Sequence, residues 1–146
     1  MLAAAPGYLR RHGTPGSPDD LTKHRCLSYG HTTTLPKWQL VRDGEAISVP
    51  ITAPLCCNNG GVLRVAALSG EGIALLPTFL VGRDIAAGEL RLVLPQYAPT
   101  ALGIYALYAP NRYLAAKTRV LIDFLVARFG EVPDWDCFPA ASRTKP

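Results

Sequence analysis

Long apolar runs, paired cysteine motifs and dense charge are all scarce in this sequence, and each shortage removes a class of explanation. The longest apolar stretch, Gly72 to Gly82, is interrupted by Pro77 and falls short of the roughly 20 residues that a membrane-crossing helix needs. The opening Met1-Leu2-Ala3-Ala4-Ala5-Pro6 has no basic leader and too short an apolar stretch for a signal peptide. The expected setting is therefore the cytoplasm, with no membrane partner. The four cysteines, Cys26, Cys56, Cys57 and Cys137, include no C-x-x-C pair, which argues against structural zinc and for reduced thiols acting as small buried hydrophobes. Charged residues make up only 18%, and the 15 lysines and arginines are scattered among 11 acidic residues, with Arg10-Arg11-His12 the densest basic spot. A nucleic-acid binder of this size would concentrate its basic residues on one face, so no direct DNA contact is expected from these residues.

Catalytic signatures are missing too. His12, His24 and His31 stand in no H-E-x-x-H pattern, no serine lies in a G-x-S-x-G elbow, and no two carboxylates stand out as an acid/base pair. Gly70-Glu71-Gly72 precedes an apolar strand-like run, whereas the glycines of a dinucleotide fingerprint must follow one. The expectation is a protein that is not an enzyme and that needs no cofactor or metal.

What is present is a packed domain. The chain has 146 residues, 49% of them hydrophobic, enough for one α/β domain with a core. Leu2 to Ala4 reads as the tail of a strand and Pro6 to His12 as a short helical turn ended by Gly13. Ser17, Pro18, Asp19 and Asp20 mark a helix start running to about His24, because serine caps, proline suits the first position and the helix dipole favours the acids. Cys26 to Tyr29 reads as a strand, and Trp38 to Arg42 with Ala46 to Ile51 as a hairpin turning at Asp43-Gly44.

The centre alternates strand and helix. Leu55 to Asn58, Ile73 to Leu76 and Leu90 to Leu94 are apolar runs, while Gly60 to Ser69 and Thr78 to Ala87 are helices, the second expected to be capped by Thr78. Such alternation predicts parallel pairing, and unalternating apolar strands predict helices on both sheet faces. Gly103 to Tyr108 reads as a further strand, and Ala115 to Phe129 as the clearest helix, with Leu121, Leu125 and Phe129 at helical spacing. Residues 131–146, with three prolines and a polar end, read as a frayed, flexible tail.

A ligand-binding site is expected where Asn58-Asn59-Gly60 joins a strand to a helix, since open α/β sheets bind ligands beyond the carboxyl ends of their strands and helix-start N–H groups attract anions. Gly72 and Ile73 are expected beside it on the neighbouring strand, and Thr32, in the loop His31-Thr32-Thr33-Thr34, as a further contact. The competing explanation for Asn58 or Asn59 is simple helix capping.

The order of these pieces resembles the effector-binding domain of LysR-type regulators. Ala4-Ala5-Pro6-Gly7-Tyr8-Leu9 is similar to that family's Ala-Ser-Pro-x-Tyr-Leu; Pro18-Asp19-Asp20-Leu21, Trp38, Asn58-Asn59-Gly60, the run from Ala66 to Pro77, Gly88-Glu89-Leu90, Tyr105-Ala106-Leu107-Tyr108 and Ile122-Asp123-Phe124-Leu125 follow in register. The resemblance implies a periplasmic-binding-protein-like fold of two α/β subdomains with a small effector between them, in regulators that assemble as oligomers. It covers residues 1–130 and begins at the strand entering the second subdomain, so the expectation is a sensor portion without its DNA-binding domain and most of its first subdomain. Expected partners are a small-molecule effector, with an anion favoured, and a second copy or an intact regulator. The alternatives are a free-standing solute-binding protein and a dimerisation module that modulates intact regulators. Leu121, Leu125 and Phe129 are expected to lack packing partners.

Overall fold

The computed structural model describes residues 1–30, 36–100, 103–107, 116–130 and 133–136. Strands β1 (Leu2–Ala4), β2 (Arg25–Tyr29), β5 (Thr52–Cys57), β6 (Ile73–Leu75) and β7 (Arg91–Leu92) form one sheet, in the order β5-β2-β6-β1-β7. A second sheet, β4-β3-β8, combines β3 (Lys37–Arg42), β4 (Glu45–Pro50) and β8 (Ala98–Pro99). The helices are α1 (Pro6–His12), α2 (Gly60–Leu68), α3 (Thr78–Ala86) and α4 (Ala116–Phe129).

The alternation of strand and helix sets direction correctly but not adjacency. β2 is parallel to β5 and to β6, and β1 is antiparallel to both β6 and β7. The strands expected to pair in parallel, β5, β6 and β7, run the same way yet none touches another, because β2 and β1 lie between them. Helices lie on both faces as expected, with Tyr8 and Leu9 of α1 and Leu21 of the segment Pro18–Lys23 on one of them, but a second sheet shares that face. The strands do point alternate residues to two cores: Ala3, Leu27 and Ala74 meet Leu63, Ala67 and Val81 of α2 and α3 on one face. On the other, Leu2, Cys26 and Ile73 meet Trp38, Leu40 and Val49 of the second sheet. The hairpin supplies that layer by alternation, with Trp38 and Leu40 inward and Lys37 and Gln39 outward. Its turn is as expected: Asp43 and Gly44 both have positive φ, 52° and 83°, matching the twist of a two-residue hairpin loop.

Four local readings also change. The Ser17-Pro18 start is real, with the Asp20 carboxylate accepting from the Ser17 N–H (3.1 Å) and hydroxyl (3.0 Å), but the segment Pro18–Lys23 is a 3₁₀ helix. Thr78 is the first helical residue of α3, and Pro77 occupies the cap without a side-chain hydrogen bond. Gly103 to Leu107 is not a strand; Ile104, Tyr105 and Leu107 are 72%, 81% and 94% exposed. A strand needs a ladder partner, and no strand of the described residues lies beside this segment. The expected loose tail contains a 3₁₀ turn, Asp134–Asp136, whose Trp135 ring meets Phe79 and Phe129.

The junction of α1 and β2 is held by a buried Tyr8. Its hydroxyl accepts the Arg25 N–H (3.0 Å) and is hydrogen-bonded to His24 Nδ1 (3.2 Å). His12 stacks on the same ring at 4.5 Å. Burial, followed by the nearby His12 and Lys23, pulls His24 below its ordinary value of 6.5, with Asp20 opposing. The unfolded chain therefore binds the proton more readily. His24 contributes stability that is whole above about pH 6.5 and lost as pH falls through the lower folded value. Thermal melts are expected to show a decline between neutral and mildly acidic pH that is smaller in His24→Gln; equal declines would remove His24 as the cause.

Candidate effector site

The carboxyl ends of the three parallel strands converge on one edge of the larger sheet. Tyr29 and Gly30 end β2, Cys57 and Asn58 end β5, and Leu76 and Pro77 follow β6. The Gly30 N–H donates to the Cys57 carbonyl (3.0 Å) and the Cys56 thiol to the Gly30 carbonyl (3.2 Å), so the ends of β2 and β5 are tied together. Tyr29, 63% exposed, stands at this edge. The starts of α2 and α3 meet there as well, since Gly60 lies directly against Leu80 and Leu76.

Asn59 is the N-cap of α2. Its Oδ1 accepts from the N–H groups of Gly61 (2.9 Å) and Val62 (3.3 Å), so the carboxamide occupies the position an anion would take at this helix start. Asn58 is exposed beside it. An open depression of about 420 Å³ adjoins the cap, lined by Asn59, Gly61, Val62 and Val65. It is a wall, not a closed cavity, and ligand sites normally enclose most of a small molecule.

The expected grouping of site residues divides in two. Asn58, Asn59 and Gly60 share the carboxyl edge, whereas Gly72 and Ile73 lie at the opposite end of β6, beside the start of β2. There Gly72 packs on the Arg25 backbone, and the Arg25 guanidinium donates to the Glu71 carbonyl (3.0 Å) and carboxylate (3.3 Å). Ile73 is fully buried, so neither residue faces a ligand at Asn59. Thr32 lies outside the described residues, as does the rest of its loop, 31–35. The residues of this stretch that do lie at the carboxyl edge are Leu76 to Phe79, where β6 ends and α3 begins. The rule that ligands sit beyond strand carboxyl ends already pointed there, had it been applied to the far end of β6.

Cys56 and Cys57 bring thiols to this edge, whereas Cys26 lies at the opposite end of β2. Cys26, buried under the hairpin, has its thiol pushed up to about 12 by burial, which keeps it a thiol and unreactive. Among the described residues no three His, Cys, Asp or Glu side chains converge as metal ligands, and no helix is long and apolar enough to cross a membrane.

A mixed α/β lobe of this topology defines the class: a periplasmic-binding-protein-like fold. A sequence profile described as the LysR substrate binding domain matches residues 1–130, and the chain belongs to that family. The transcriptional regulator CrgA of Neisseria meningitidis is 36% identical over 130 residues, covering 88% of this chain and 43% of CrgA. Among solved structures, the regulatory domain of CrgA superposes with a TM-score of 0.69 at 34% identity, over 88% of this chain and 63% of that one. The regulatory domain of AphB from Vibrio vulnificus, treated with cumene hydroperoxide, gives 0.72 at 32% identity, over 87% and 63%. The chain thus spans less than half the length of CrgA and under two thirds of these regulatory domains. Its relatives are transcription regulators.

Proposed function

We propose that residues 1–130 sense a small-molecule effector for a LysR-type transcription regulator, working in the cytoplasm, with an anionic group of the effector held near the starts of α2 and α3. The observation that supports this best is the meeting of two helix starts at the carboxyl edge of three parallel strands, on a chain whose relatives are regulators. Negative charges are favoured at such helix starts.

One wall needs another. α4 has no buried residue, and Val120, Leu121, Phe124 and Val126 are exposed, as are Ile104, Tyr105 and Leu107. Apolar residues on all sides of a helix belong in a core, which supports a second lobe of the sensor covering α4 and residues 103–107 and closing the cleft. The same surface supports association with a second copy or an intact regulator as the competing occupant. DNA reading belongs to other parts of such a regulator.

Thermal melts against a panel of small carboxylates test this reading. At least one is expected to raise Tm in a concentration-dependent way, and Asn59→Ala is expected to weaken that ligand by about 1 kcal/mol, roughly fivefold in Kd. Unchanged affinity with a lowered Tm would leave Asn59 as a cap alone. A panel in which no member stabilises the chain would count against an anion at this edge.

A further inference from the structure

We propose that Trp135 is a positioning residue that latches the last helix to the effector edge of the sheet, an inference that rests on the reading of that edge given above. Phe79, the second residue of α3, stands where β6 gives way to the helix. The Trp135 indole meets it edge-on, with centroids 6.4 Å apart at 78°, and meets Phe129 at the end of α4 at 5.4 Å and 66°. Both are the tilted geometry that aromatic quadrupoles favour. One ring therefore touches α3 at the candidate site and α4 at its last turn.

Two further observations place the turn at this edge and give the contact consequence. The turn Asp134–Asp136 packs against α3, so the residue after Trp135 also lies beside the helix that follows β6. α4 buries no side chain of its own, and its half-buried Phe129 is the residue that Trp135 grips. A shift of Phe79 at the start of α3 would move the indole and with it the end of α4. Coupling of this kind needs a shared physical element with both ends attached to it, and Trp135 is that element.

The test is a double-mutant cycle read by amide hydrogen exchange on the whole chain: wild type, Phe79→Ala, Trp135→Ala and the double variant. Phe79→Ala, made on α3, is expected to speed exchange in the last turn of α4, Leu125 to Phe129, by roughly threefold or more, the factor an edge-to-face aromatic pair is worth. It is expected to add nothing in the Trp135→Ala background. Slow exchange retained at Leu27 and Ala74 certifies the fold; if Phe79→Ala loses it, Phe79→Leu replaces it in the cycle. Unchanged exchange in α4, or the same acceleration with and without the indole, overturns the latch. The readout needs no effector. A chain that couples Phe79 to α4 yet binds no carboxylate keeps the latch and loses the anion reading, and the converse result removes the latch alone.

Discussion

Gly72→Ala is expected to destabilise the chain by about 3 kcal/mol, the upper part of the range for overpacking a close-packed interior, while Gly60→Ala stays within about 1 kcal/mol of wild type. A Cβ on Gly72 would lie 2.4 Å from the Arg25 carbonyl oxygen, 3.1 Å from its carbon and 3.3 Å from Leu27 Cδ2. Those backbone atoms open β2, which pairs with β6 through Cys26 to Ile73 and Leu27 to Ala74. Relief requires parting two central strands. A Cβ on Gly60 also comes too close to something, 2.5 Å from Leu80 Cδ1, but a terminal methyl can rotate away, and alanine gains helix propensity over glycine. Urea melts of the two variants decide the matter. A Gly72→Ala protein of wild-type stability would refute this packing and reopen a ligand role for the position.

Arg64→Leu is the second large expected loss. The guanidinium reaches from α2 to α3 and grips both oxygens of Asp84, Nε to Oδ2 at 2.6 Å and Nη2 to Oδ1 at 2.5 Å. The two partners are unlike: the Asp84 side chain is 4% exposed, that of Arg64 37%. Removing Arg64 strands a buried carboxylate, the costlier way to break such a pair. Removing Asp84 leaves a cation that can turn to water, so Asp84→Leu is expected to cost less. The double replacement should recover part of the first loss, since no buried charge is then unpaired. Chemical denaturation of the three variants measures this, and a double variant as unstable as the sum of the singles would mean that the ion pair is not the clamp between α2 and α3.

Much of the layout was legible because it depends on neighbours in sequence. Asp43-Gly44 turns the hairpin as its residue types require, Asn59 caps α2, and Gly60 to Leu68 and Thr78 to Ala86 are helices close to their expected bounds. The errors lie where distant segments decide. Nothing local in Ile73 to Leu75 reveals that β2 lies on one side of it and β1 on the other, nor that Gly72 and Asn59 stand at opposite ends of the sheet. Gly103 to Leu107 has the composition of a strand, but composition cannot supply a partner. The family resemblance was carried by short pieces in register, and the profile match over residues 1–130 bears it out. Trp135 was invisible for another reason: three prolines nearby read as disorder, and the ring's partners are Phe129 close in sequence and Phe79 far from it.

The position of β1 has a consequence for synthesis. Leu2 pairs with Leu75, and Ala3 with both Ala74 and Leu92, so β1 leaves the ribosome well before its hydrogen-bond partners do. Until residue 92 has emerged, this apolar strand has at least one unsatisfied edge, and contacts of such sequence separation form slowly. β1 is thus exposed to aggregation until β7 has been made, and a pause in translation before β7 would prolong that exposure.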